Sequence, residues 1–286
     1  MIAVLAALGT SFTYGVSNFL AGRQSRKSAL WGVVLFSQLA ALVVGLPVVL
    51  LSGEPFPDGP GLPAGLIAGV LQPIALGAFY RALAIGTVSI VAPIGAVGVV
   101  LPVVAGFVSG DAVAALQVAG MALCVAGIAV AARRPEPARA AATARGGGAN
   151  RLSLVLALVA ATCFGLQFIA FAQASTDGVL WPITLARAAS VAVLLVAVGL
   201  VRPTLATERA VLPAIALVGI LNHLASGLFV FAASQDAPLS VVSVLASLYP
   251  AVTVVLALAL LGERLTVAQS FGVGAALLGV VLTAGG

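Results

Sequence analysis

Ten stretches of about twenty mostly apolar residues follow one another along this chain, and that succession constrains its fold more than any other feature. They run roughly over Ile2–Leu20, Ala29–Leu51, Leu62–Ala84, Thr87–Val108, Ala112–Ala132, Leu152–Ala174, Val179–Val201, Val211–Ala233, Leu239–Leu261 and Thr266–Ala284. A hydrocarbon layer about 30 Å thick takes about 20 helical residues at 1.5 Å each. Lipid offers the backbone no hydrogen-bond partners, so each stretch is expected to be a helix. A membrane β-barrel would show alternating segments of about 10 residues instead. Charge agrees: 7% of the 286 residues are charged, against about 25% in a soluble domain. The expected fold class is an all-α membrane protein with ten transmembrane helices. The first stretch lacks a basic leader and takes part in an internal repeat, so it reads as a retained helix and not a cleaved signal.

Sliding the chain on itself by 150 residues aligns Gly15 with Gly165, Trp31 with Trp181, Gly69 with Gly219, Gln72 with Asn222, Gly77 with Gly227 and Phe79 with Phe229. A shift of 152 then pairs Gly110 with Gly262, Asp111 with Glu263, Gln117 with Gln269, Gly120 with Gly272 and Gly127 with Gly279. The chain therefore divides into a five-helix repeat over 1–132, a basic flexible linker over 133–151 and a second five-helix repeat over 152–286. An odd number of spans makes the second half enter from the opposite side. Two inverted repeats are expected, with a substrate site between them near the bilayer midplane and alternating access by rocking.

Twelve of the thirteen basic residues lie in or beside loops that follow odd-numbered spans, and the thirteenth is Arg187 within the seventh span. Loops after even-numbered spans hold Glu54, Asp58, Asp111, Asp177 and Asp236 and no Lys or Arg. The positive-inside rule places the linker in the cytoplasm and both termini outside a cell membrane. The linker's basic residues are expected near anionic headgroups. Basic residues confined to loops, with no interleaved aromatics, argue against nucleic acid as the partner of a net charge of +5.

The second half carries Leu248-Tyr249-Pro250, then Leu261-Gly262-Glu263-Arg264-Leu265, Gln269 and a Gly-rich last span. The first half carries a weaker copy in Gly110-Asp111, Gln117 and Gly120, with Phe79-Tyr80-Arg81-Ala82-Leu83-Ala84 upstream of Val91-Ala92-Pro93-Ile94. In order and repetition these resemble the EamA family of the drug/metabolite transporter superfamily, over nearly the whole chain. The resemblance implies ten helices, inverted halves and import or export of small metabolites such as amino acids. Gly110-Asp111 departs from the family's Gly-Glu-Arg. Relatives also commonly keep both termini cytoplasmic, opposite to the charge count.

Charge within a membrane is costly and marks function. Arg187 is the charged side chain deepest in a span, with Thr184 and Ser190 on its face. It suits a substrate carboxylate; the alternative is a side chain that snorkels or bonds helix-end carbonyls. Asn222, His223 and Ser226 sit mid-span, with Gln72 at the depth of Asn222, which fits a shared cavity or interhelical bonding. His223 is a candidate proton relay, since a free imidazole titrates near 6.5. Ser243 and Ser247, with Ser240, recur along one face of the ninth span and either line the pathway or pack closely. Tyr14 and Gln38 complete the candidates and read more readily as packing or interface residues. Pro93, Pro102 and Pro250 fall in the equivalent fourth and ninth spans and mark broken helices or plain kinks. The Gly120/Gly127 and Gly272/Gly279 faces suit close helix packing or a homodimer contact.

All eight acidic residues lie in loops or at span edges, which disfavours cationic drugs as cargo. No Gly-rich phosphate loop with Lys points to ATP drive. Cys124 and Cys163 fall in apolar runs and the single His cannot build a multi-His metal centre, so no cofactor or metal is expected. The expected function is secondary transport of small polar metabolites, amino acids or related carboxylates favoured, with a proton or ion for coupling. A non-transporting membrane scaffold and a membrane-embedded enzyme are the competing readings; the latter would need a catalytic constellation.

Overall fold

The computed structural model describes residues 1–24, 28–85, 97–131, 151–235, 237–249, 252, 255–256, 260 and 267–285. Among these residues the structure is helical, with no strand. In chain order the helices are α1 (Ile2–Gln24), α2 (Leu30–Ser52), α3 (Gly61–Ile85), α4 (Val100–Val108), α5 (Ala115–Ala131), α6 (Arg151–Ala174), α7 (Leu180–Val201), α8 (Leu212–Ala233), α9 (Leu239–Ala246) and α10 (Val267–Gly285). Six of the described helices, α1, α2, α3, α6, α7 and α8, are long and apolar enough to cross a membrane. Shorter apolar helices lie at Val97–Val108, Ala115–Gly127 and Ser270–Thr283. Residues 133–150 of the linker, Pro93, Pro250 and the Gly262-Glu263-Arg264 motif lie outside the described residues, while Arg151 opens α6.

Two compact units divide the chain: Met1–Pro73 with Ala170–Ala237, and Ile74–Ile169 with Pro238–Gly286. Each draws on both halves of the sequence. In the first unit small side chains such as Ala7, Ala68, Ala186 and Ala225 are fully covered, as are a few large ones such as Phe171, Ile215 and Phe229, whereas Val43, Leu195 and Leu200 are exposed. That distribution suits hydrocarbon as solvent, where helices associate through close backbone approach.

In the first unit the approach is made at glycine. Gly65 and Gly69 of α3 lie against the backbone of Pro182 and Ala186 of α7. Gly219 of α8 lies against the backbone of Ser37 of α2. The two glycines aligned by the 150-residue shift thus meet the two helices that the same shift exchanges. Acidic loop residues close this unit's helix ends. Glu54 accepts from the Leu180 and Trp181 amides at 2.9 and 3.0 Å. Asp177 accepts from the Gly61 amide at 2.7 Å. Free amides and the helix dipole at an N-terminus both favour a carboxylate there.

In the second unit α5 and α10 run antiparallel. Gly120 meets Gly279 and Thr283, and Gly127 meets Gly272 and Ala276. Between them Cys124 Sγ donates to the Ala276 carbonyl at 3.4 Å. Asp111 caps α9, accepting from Ser240 N at 2.8 Å and Ser240 Oγ at 2.7 Å. Helix α9 stops at Ala246; the Ser247 amide is shared between the Ser243 and Val244 carbonyls at 3.0 and 3.1 Å. The ninth apolar stretch is therefore interrupted at Ser247, three residues before the proline that the sequence marks for a break or kink.

Candidate functional site

Arg187 enters the first unit from α7 and is fully buried. Apolar neighbours would leave its five N–H donors unmet, so polar groups converge on it from three helices on the first half of the chain, α1 through Tyr14 among them, and one on the second. Its Nη1 donates to Gln38 Oε1 of α2 at 2.9 Å and to Gln72 Oε1 of α3 at 2.6 Å. Its Nη2 donates to the Asn222 carbonyl at 3.2 Å and to Ser226 Oγ at 2.5 Å, both on α8. Ser226 passes its own proton one turn back to the Asn222 carbonyl at 3.0 Å. Tyr14 of α1 is then the donor in its 2.9 Å contact with Ser226 Oγ.

A second chain of bonds fixes the acceptors. Gln72 Nε2 donates to Asn222 Oδ1 at 3.1 Å, which leaves its oxygen for Arg187. Ser190, one turn along α7, donates to the Gly69 carbonyl at 2.7 Å. That bond forms where Gly69 lets α3 and α7 touch, so the glycine sequence positions the amide that holds the guanidinium.

Electrostatically the cluster is lopsided. A guanidinium stays protonated in proteins. Among the described residues every hydrogen-bond partner of Arg187 is a neutral oxygen, and no carboxylate acts on it. Its Nε and the buried Thr184 Oγ1, one turn earlier on α7, have no hydrogen-bond partner.

Six of the residues expected at a site from sequence come together here: Tyr14, Gln38, Gln72, Arg187, Asn222 and Ser226. His223 does not join them by a hydrogen bond; its ring lies against Gly45 of α2 and its Nδ1 is unpartnered. Ser243 and Ser247 belong to the other unit. Ser243 Oγ has no partner among the described residues, and Ser247 Oγ donates to the Val244 carbonyl at 2.8 Å. Pro102 is buried in α4. The capping roles of Glu54 and Asp177 were not read from sequence. Their position just before an apolar run was the available signal, but it does not say that each caps a helix other than its own successor.

The profile of the EamA-like transporter family matches residues 1–133 and again 151–285. The chain belongs to the EamA-like transporter family. It is thus a multi-pass membrane protein of a transporter family. No curated protein matches it. Twenty-eight chains of solved structures do. One of them, titled only as the crystal structure of a protein, is superposable with a TM-score of 0.79 at 15% identity, over 98% of this chain and 96% of that one. At that identity the likeness concerns the fold.

Proposed function

We propose that this chain carries small polar metabolites, amino acids or related carboxylates in particular, across the cell membrane by alternating access, and that the Arg187 cluster is where they bind. The observation that carries this reading is a fully buried guanidinium met by neutral oxygens alone. Burying an ion without a counter-ion costs several kcal/mol in a protein interior. Such a cost is kept where the missing charge arrives with a ligand.

The same reading takes the chain as two inverted five-helix repeats. Gln72 bonds Asn222 at a separation of 150, and Cys124 bonds Ala276 at a separation of 152. Residues related by a two-fold axis meet one another only on that axis. Within the second unit the antiparallel crossing of α5 and α10 supports inversion, because repeats in one direction would make equivalent helices parallel. Donors and acceptors around Arg187 then come from both repeats, as a site shared between them requires.

Counterflow in proteoliposomes tests the proposal. Preloaded alanine or a short organic acid should drive saturable uptake of its labelled form, and Arg187→Gln should abolish this while leaving expression intact. Unchanged uptake by Arg187→Gln removes the assigned role. Absence of saturable counterflow with any small metabolite favours a scaffold.

A further inference from the structure

We propose that Arg187 receives one carboxylate group of its ligand on the edge formed by Nε–H and Nη2–H, and that the Ser226 hydroxyl is a placeholder which yields to it. The proposal rests on the site assigned above and names the chemistry that the site selects.

The five guanidinium donors are not equally committed. Both protons of Nη1 are taken, by Gln38 Oε1 and Gln72 Oε1. Nη2 serves the Asn222 carbonyl and Ser226 Oγ. Nε serves nothing. A carboxylate binds guanidinium through two parallel N–H groups on one edge. Nε–H and the Nη2 proton beside it form such an edge. The opposite nitrogen, Nη1, is held from two helices, and Gln72 is itself tied to Asn222 at 3.1 Å. Gln38 and Gln72 are therefore positioning residues that aim the open edge.

On that edge the acceptor is the easier group to move. The Asn222 carbonyl is fixed by its helix, whereas a serine hydroxyl leaves by a side-chain rotation. A carboxylate in its place turns a hydrogen bond with one charged partner into one with two, the stronger kind. Two hydroxyls stand ready for the ligand's remaining lone pairs. Thr184 Oγ1 is buried and unpartnered on the face of α7 that bears Arg187. Tyr14 is hydrogen-bonded to Arg187 as well as to Ser226 Oγ, so its hydroxyl stays beside the guanidinium and can turn its proton to the ligand when Ser226 leaves. With one positive charge and hydroxyl donors, the edge selects a single carboxylate, whether of an amino acid or of a simple organic acid.

Thermal unfolding of the purified full chain in detergent, titrated with propionate, alanine and propionamide, tests this. Propionate, alanine or both should raise the midpoint saturably, and uncharged propionamide should not; the two acids distinguish the ligand sources. Ser226→Ala should lower the ligand-free midpoint yet reduce the half-saturating carboxylate concentration about tenfold, since the edge no longer has an internal acceptor. Thr184→Val should leave the ligand-free midpoint unchanged, because its hydroxyl has no partner to lose, and weaken the carboxylate response several-fold. Equal stabilisation by propionamide, or a Ser226→Ala response no tighter than that of the parent, overturns the proposal. So does an undiminished response in Thr184→Val, which stands should Ser226→Ala not fold. None of these readouts needs transport. Carboxylate stabilisation without counterflow defeats the transporter reading and leaves this one; counterflow without carboxylate stabilisation does the reverse.

Discussion

Replacing Gly69 with alanine asks whether the Arg187 cluster depends on the contact between α3 and α7. The added methyl would stand 2.7 Å from Ala189 Cβ and 2.8 Å from the Ala186 carbonyl carbon. Ordinary contact begins at 3.4 Å, so relief from Ala189 alone takes a retreat of 0.7 Å. The same gap is bridged by Ser190 Oγ to the Gly69 carbonyl at 2.7 Å and by Arg187 Nη1 to Gln72 Oε1 at 2.6 Å. Opening it by that amount carries these bonds to about 3.4 and 3.3 Å, beyond the usual range of either type. Overpacking costs about 1–3 kcal/mol, and each weakened bond adds roughly 0.5–1.5 kcal/mol. A total of roughly 2–6 kcal/mol should appear as a lower unfolding midpoint in detergent, with loss of counterflow because Gln72 no longer reaches the guanidinium. Gly77→Ala is the comparison: a methyl there meets nothing within 4 Å, so stability and transport should hold. If Gly69→Ala unfolds and transports like Gly77→Ala, the close approach does not position the site and the reasoning fails.

Gly219→Ala, which presses on the Ser37 backbone, should lose as much stability as Gly69→Ala within about 1 kcal/mol, measured in the same unfolding assay. Glu54→Ala removes an acceptor shared by two amides at the start of α7 and should cost about 1–2 kcal/mol by the same measurement, with Glu54→Gln recovering part of it. Asp111→Ala should destabilise α9 by a similar amount, seen as faster amide exchange over Ser240–Ser243. A cysteine at either terminus should be labelled by an impermeant reagent in intact cells; protection of both ends would reverse the orientation drawn from loop charge.

Six helices were legible in the sequence because lipid asks only for length and apolarity, and Ile2–Leu20, Ala29–Leu51, Leu62–Ala84, Leu152–Ala174, Val179–Val201 and Val211–Ala233 supply both. The stop of α9 at Ala246 has a different signal: Pro250 lies four residues on, and a proline in a helix crowds the carbonyl four residues back. Within the site, Arg187, Gln72, Asn222 and Ser226 stood out as polar groups in apolar surroundings. Gln38 and Tyr14 read as packing residues, since hydropathy does not tell which face of a helix turns inward. His223 neighbours Asn222 in sequence, but one residue along a helix is about 100° around it, and its ring lies against Gly45 of α2. The end caps were hidden because they join segments more than 110 residues apart.

The reciprocal caps at Glu54 and Asp177 bear on how the chain is made. While the ribosome has delivered only the first half, the opening turn of α3 lacks the carboxylate that will close it, and Gln72 has neither Arg187 nor Asn222 to bind. The loop carrying Glu54 meanwhile waits for a helix not yet synthesised. Newly inserted α1 to α3 therefore lack, until the second half follows, the partners that close the start of α3 and hold Gln72.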